Sequence, residues 1–410
     1  MYKSASLFVG SCSALALAGA MMLAQAPAQP AQASKFHVLY NFQGGTDASG
    51  PIGGLVRRGK DYYGTTYSGG TNNLGTVYKV TPGGAETVIH SFGSGSDGAN
   101  PQAGLVADAK GNLYGTTYSG GTENRGTVFK VTPKGKESVL YSFCPNYPHC
   151  TDGFNVSAGL ILDAEGNLYG TSYAGGANSL GTVFKVALDG TETVLYSFKG
   201  GNDGADPAGS VIADSAGNLY GTTYSGGSTT NCSTFGCGTV FELAADGTES
   251  VLHSFTGGSD GANPFASLIM DAAGNLYGTT WSGGSSNCSG SGCGTVYKVA
   301  TDGTETILHA FSGASDGTYL QSPLTADKKG NLYGTTDYGG NTSDCGGNGC
   351  GTVFKLAPDG AKTVLHAFSG SDGAQPGGQL LAEEKGELYA TTYNGGNNGS
   401  DSGVVFRIKE

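Results

Sequence analysis

The sequence predicts an all-β fold, a seven-bladed β-propeller with four antiparallel strands per blade, and three observations carry that prediction. A segment built around LYGTTYSGG recurs seven times, with its tyrosine at Tyr63, Tyr114, Tyr169, Tyr220, Tyr277, Tyr333 and Tyr389, so the copies lie 51 to 57 residues apart. A period of this length belongs to propellers and related arrays. Each copy holds four strand-length runs separated by Gly-rich turns, which is the all-β pattern. Finally, the chain starts and stops out of phase with its own repeat. FHVLYNF (36–42) matches a fourth strand, as in ETVIHSF (86–92), yet precedes the first full copy, and the last copy stops after its third strand, GVVFRI (403–408). The N-terminal strand is therefore expected to complete the C-terminal blade, closing the ring and covering a sheet edge.

Taken in order, residues 1–33 read as a signal peptide and residues 34–410 as the propeller. Lys3 supplies a positive start, Leu7 to Leu23 is mostly apolar, and Ala31-Gln32-Ala33 offers small residues for cleavage before Ser34. An uncleaved membrane anchor is the alternative, because the apolar stretch is nearly long enough to span. The mature chain is expected outside the cytoplasm, secreted or periplasmic, as a monomer without membrane contact once the signal is removed.

The second copy shows how a repeat becomes a blade. Its strands are AGLVAD (Ala103 to Asp108), NLYGTTY (Asn112 to Tyr118), GTVFKV (Gly126 to Val131) and ESVLYSF (Glu137 to Phe143). The first and third connections are tight hairpin turns. The second, and the link to the next copy, are longer. Because neighbouring strands alternate direction, all tight turns share one face and all long loops the other. Gly115, inside a strand where glycine weakens pairing, implies close approach of an aromatic ring from the next blade.

Composition narrows the function. The chain carries a net charge of −12 and shows no Lys or Arg cluster, so nucleic acid is not an expected partner. After the signal, eight cysteines fall into four close pairs: Cys144 with Cys150, Cys232 with Cys237, Cys288 with Cys293, and Cys345 with Cys350. In an exported chain these are expected to be local disulfides. Each closes a very short loop and contributes on the order of 2 kcal/mol. No metal site is expected from them, since zinc needs about four ligands converging on one point.

Most residues that suggest chemistry are periodic. His90, His253, His309 and His366 share one position on the fourth strand with Tyr40, Tyr141 and Tyr196, which reads as a packed polar aromatic. Asp47, Asp97, Asp152, Asp203, Asp260, Asp316 and Asp372 recur in every inter-blade loop and, apart from Asp47, precede glycine, as suits an Asx-type turn. No cofactor is expected; calcium in these loops is conceivable, but their spacing matches neither an EF-hand nor the Gly-rich calcium repeat. No nucleophile elbow, HExxH, Walker loop or dinucleotide fingerprint occurs.

The set LYGTTYSGG, GTVFK and VLHSF followed by a Gly-Gly-x-Asp-Gly loop resembles the bacterial choice-of-anchor GloVer-containing proteins (Gloeo-Verruco repeats), over all seven copies. That resemblance implies an exported repeat protein and assigns no activity. The chain ends on Arg407 to Glu410 without a sorting tail, so anchoring through that end is not expected.

What breaks the repeat on the long-loop face is more informative. Trp281, the single tryptophan, replaces the tyrosine that ends the second strand, and Asp337 replaces it one copy later, followed by Tyr338. Loops of the third to sixth copies add Tyr147, His149, Phe154, Phe235, Phe265 and Tyr319. Aromatic faces with a few polar groups suit stacking on sugars or gripping a peptide. The leading expectation is a non-enzymatic module that binds an extracellular glycan or protein through this face. A polysaccharide lyase or glycoside hydrolase on the same face, and a purely structural envelope protein, are the alternatives.

Overall fold

In a computed structural model of the chain, the described residues are 34–410 apart from 94, 233, 286, 287, 289, 384, 385 and 398. The segment expected to be a signal peptide lies outside them. Seven four-stranded antiparallel sheets form the blades of a propeller, with no α-helix among the described residues. Blade 1 consists of Val56–Arg58, Asp61–Thr66, Thr76–Val80 and Glu86–Ser91. Blade 7 joins both ends of the chain: Leu381–Glu383, Glu387–Thr392 and Val404–Lys409 are followed in space by Lys35–Asn41. Phe36 faces Ile408 and Val38 faces Phe406 across this closing pair. The bulge that shifts its register at Val38/Tyr40 recurs in the outer pair of the other blades, as at Val77/Tyr78 and Val128/Phe129, and adds local twist.

Two sequence expectations change in detail. The first strand, expected over Ala103 to Asp108, pairs only at Val106–Ala107. Nearer the axis the backbone serves the neighbouring blade instead: the Thr65 hydroxyl donates to the Ala103 carbonyl at 2.7 Å, and a Cβ on Gly53 would sit 2.4 Å from Ala103. The glycine inside the second strand is covered by a ring of its own blade, not the next one. Phe129 lies opposite Gly115 in the adjacent strand, and a Cβ there would meet its ring at 2.7 Å.

The next blade acts on that same ring from the other side. The phenylalanine after each fourth strand stands edge-on against the third-strand aromatic of the following blade, as in Phe92–Phe129, Phe143–Phe184, Phe198–Phe241 and Phe368–Phe406, with centroids 5.0 to 5.3 Å apart. Phe42–Tyr78 makes the contact between blades 7 and 1. These rings are fully buried. Truncating one to alanine costs about 3 to 5 kcal/mol in a packed core.

A polar latch accompanies each aromatic one. The loop aspartates accept a backbone N–H from three or four residues earlier, as Asp97 does from Gly93 N at 2.6 Å, or from eight residues earlier in the longer disulfide-bridged loop, where Cys144 N reaches Asp152 at 2.8 Å. The fourth-strand Tyr or His reaches the same carboxylate: Tyr40 to Asp47 at 2.9 Å, Tyr141 to Asp152 at 2.8 Å, His366 to Asp372 at 2.9 Å. The head of the next blade's fourth strand completes the group, with Glu86, Glu137, Glu192, Glu249 or Glu305 at five junctions. Each of these glutamates buries one carboxylate oxygen without a hydrogen-bond partner among the described residues. Burial first, and the nearby aspartate second, push Glu192 up to about 7, and the other four behave alike. At the sixth junction Lys362 takes this place and pairs with Asp316 at 2.6 Å; at the seventh, Phe36 stacks on His366.

Removing residues 36–42 should leave the third strand of blade 7 unpaired and expose Phe406, giving a protein that aggregates or melts without cooperativity; a soluble variant with an unchanged melting curve would contradict the closure. The glutamates make a second prediction. A carboxyl whose pKa rises on folding stabilises the fold below its unfolded pKa, near 4.5, and that stabilisation is lost as pH rises through its folded value near 7. The aspartates Asp97, Asp260 and Asp372 are held low and act oppositely, losing their contribution only under stronger acid. Tm should therefore peak near pH 5 and fall toward pH 8, and Glu192→Gln should raise Tm at pH 8 while leaving it nearly unchanged at pH 5.

Candidate functional site

The loop pairing fixes which face carries the site. In each blade the inter-blade loop pairs antiparallel with the start of the long loop after the second strand, as in Ser49 with Ser68, Phe154 with Ala174 and Thr318 with Tyr338. Just after the bridging loop residues, seven residues one per blade hold the left-handed conformation: Gly50, Asn100, Asn155, Asp206, Asn263, Tyr319 and Gln375, with φ between 55° and 67°. Each carbonyl accepts the N–H of the residue ending the next blade's second strand, such as Trp281 N to Asn263 O at 3.1 Å and Asp337 N to Tyr319 O at 3.0 Å. The backbone is thus the same around the ring, and only side chains distinguish one junction from another.

At the junction of blades 5 and 6 those side chains depart from the pattern together. Asparagine tolerates the left-handed region and bonds back to the preceding blade, as Asn263 Nδ2 does to Tyr224 O at 3.0 Å. Tyr319 occupies the same conformation with a bulky side chain, at a cost of order 1 kcal/mol, and stacks on Trp281 with centroids 4.8 Å apart and planes 26° from parallel. Tyr338 stands edge-on to Tyr319 at 6.1 Å. The threonine latch is also missing here. Thr65, Thr116, Thr171, Thr222, Thr335 and Thr391 each donate across to the next blade, whereas the Thr279 hydroxyl is buried without a partner among the described residues.

These departures line one cavity of about 930 Å³ with Trp281, Tyr319, Gln321, Asp337, Tyr338 and Tyr393 around it. The disulfide-bridged loops of blades 5 and 6 bring Cys288, Gly347 and Asn348 to its wall. All four disulfides pair as the sequence spacing requires, with Cα–Cα distances of 4.4 to 5.4 Å. Asp337 is 8% exposed, and its Oδ2 accepts from Gln321 Nε2 at 2.5 Å. Burial without a cationic partner among the described residues pushes its carboxyl up to about 8. It is the only carboxylate among the described residues lining the cavity.

The cavity adjoins the mouth of the central channel, a space of about 400 Å³ where Trp281 and Gln321 meet Phe265, Tyr118, Tyr173 and Tyr224. Phe265 stands edge-on to Tyr224 at 6.2 Å. Of the residues singled out in the sequence, Trp281, Asp337, Tyr338 and Tyr319 therefore come together, and Phe265 lies beside them. Tyr147 and Phe154 instead flank the Arg125 guanidinium, 4.8 and 5.2 Å from it, and His149 is exposed in the same loop. Sequence reasoning missed Gln321, Gln375 and Tyr393. Aligning the copies at the Asn-Pro position would have exposed Gln375, which donates to the Tyr338 hydroxyl at 2.7 Å. A second cavity, of about 960 Å³, is lined largely by glycine and serine near Asp206 and Tyr224.

Two junction groups have donor sets that could hold a metal ion, His90–Asp97–Glu137 and His253–Asp260–Glu305, their ligand atoms within 4.8 Å of one another. The equivalent groups elsewhere use Tyr, Lys or Phe, which fits an inter-blade latch.

Comparison with known proteins gives the fold broadly and the family specifically. The extracellular domain of one-component system BT4673 from B. thetaiotaomicron aligns with a TM-score of 0.55 at 11% identity, over 90% of this chain and 39% of that one. Puromycin hydrolase aligns with a TM-score of 0.52 at 13% identity, over 84% of this chain and 51% of its own. A gluconolactonase from Xanthomonas campestris gives 0.42 at 14%, over 73% and 82%. At these identities the likeness extends to the propeller fold alone. No curated protein matches the chain. The Gloeobacter/Verrucomicrobia repeat, however, matches residues 28–149 and 145–346, most of the sequence, and the chain belongs to that family.

Proposed function

We propose that this protein is an exported propeller that binds an extracellular glycan in the cavity between blades 5 and 7. The observation that carries the reading is the stacked pair Trp281–Tyr319 beside a buried carboxylate, at the junction where, among the described residues, the threonine latch is missing. An indole face next to a few fixed polar groups is the surface on which a sugar ring stacks while its hydroxyls find partners. Gln321, Asp337 and Tyr338 supply those polar groups. Four disulfides suit an extracytoplasmic setting, and among the described residues no helix is long and apolar enough to cross a membrane. A glycoside hydrolase would need a second carboxylate roughly 5 to 10 Å from the first, whereas Asp337 is the only carboxylate among the described residues lining the cavity.

Trp281→Ala should weaken glycan binding by roughly 2 kcal/mol, as expected for an aromatic anchor, with little effect on melting. Tyr118→Ala, in the repeat's ordinary position, should cost stability instead. If an oligosaccharide binds saturably but its affinity survives Trp281→Ala and the tryptophan emission does not respond, the site lies elsewhere. A peptide that binds Trp281 where no oligosaccharide does would replace the glycan with a protein partner. In the free protein, Trp281 emission should titrate with a midpoint near pH 8, following Asp337, and Asp337→Asn should flatten that curve.

A further inference from the structure

Asp337 is a single acid in a cavity whose other described lining residues are aromatic, small or neutral polar. The titratable groups that share the cavity with it are Tyr319, Tyr338 and Tyr393, and among the described residues no Lys, Arg or His lines the space. Its one hydrogen bond to a side chain comes from Gln321, a neutral donor. A neutral ligand could use any amide or hydroxyl at this place, as the other blades do with tyrosine; a buried carboxyl is costly unless something positive meets it. The rings around it add to the same preference, since the faces of tryptophan and tyrosine attract cations. The chain's net charge of −12 favours approach of a positive ligand as well.

We infer that the cavity selects a glycan carrying a free amine, whose ammonium group pairs with the Asp337 carboxylate beside the aromatic faces of Trp281 and Tyr319. This rests on the glycan-binding reading and narrows it to amino sugars that are not acetylated. Pairing requires the ionised acid, so a carboxyl that carries its proton in the free protein gives that proton to the buffer as the ammonium binds.

The test compares three oligosaccharides of equal length by calorimetry and Trp281 emission: a β-1,4-linked glucosamine trimer, its fully N-acetylated counterpart, and a glucose trimer. Trilysine serves as a control for general attraction to an acidic protein. The expected result is at least tenfold tighter binding of the glucosamine trimer than of either neutral trimer, with no comparable binding of trilysine. In Asp337→Asn, which keeps the shape of the side chain, the preference should shrink to within about twofold. On the unaltered protein at pH 6, where the sugar amine is charged, calorimetry in buffers of different ionisation enthalpy should show close to one proton released per site. Equal or tighter binding of the neutral trimers, or binding of the glucosamine trimer without proton release, overturns the inference while leaving glycan binding intact. Trilysine binding as tightly with the same emission change also overturns it. If none of the trimers binds, both readings fall.

Discussion

Everything in this ring depends on one contact repeated at each junction, an edge-to-face pair of aromatic rings shared between two blades. In six blades the tip of the third-strand ring packs against a glycine of its own blade, and in blade 7 Ala390 lies opposite Phe406, while the edge-on partner comes from the preceding blade. The glycine thus sets the ring's height, and the ring sets the distance between blades. Every other junction feature, the threonine that reaches a carbonyl near the axis and the aspartate that gathers a Tyr or His with a Glu or Lys farther out, works within a spacing already decided.

This arrangement explains why the fold was legible in the sequence and the site only partly so. Seven identical constraints leave seven identical marks, and the out-of-phase ends, Phe36 to Phe42 and Gly403 to Ile408, are sufficient to close the ring. The ring over Gly115 was assigned to the wrong blade because a linear string does not say whether Phe129 or a residue of the next copy lies opposite. The short inner strand escaped for a related reason: Ala103 spends its carbonyl on another blade, and sequence pattern registers pairing within a hairpin far better than contacts across a junction. At the site, Trp281 and Asp337 were visible as exceptions to a strong rule. Gln321 and Gln375 were not, since polar residues in a variable loop carry no signal until the left-handed position, which Gln375 occupies and Gln321 follows by two residues, is recognised.

The junction of blades 5 and 6 shows how a symmetric scaffold acquires an asymmetric surface. The backbone there is indistinguishable from that of the other six, down to the hydrogen bond from Asp337 N to Tyr319 O. Stability has been given up locally, through a strained tyrosine, an unpartnered threonine and a buried acid, while the aromatic contact Phe311–Phe354 stays intact at 5.2 Å. Two disulfides, Cys288–Cys293 and Cys345–Cys350, stiffen the loops beside the region where those losses fall. A scaffold with seven redundant junctions tolerates one whose side chains depart from the repeat.

The closing strand decides when the ring can be completed. Lys35 pairs with Lys409, so the first strand made waits for the last. Until the ribosome has released the C-terminus, blade 7 has no outer half and the ring has a gap through which its core is open to water. The growing polypeptide is thereby kept from locking into its finished shape during synthesis. Closure of the whole ring is therefore an event that follows synthesis of the third strand of blade 7, Val404–Lys409.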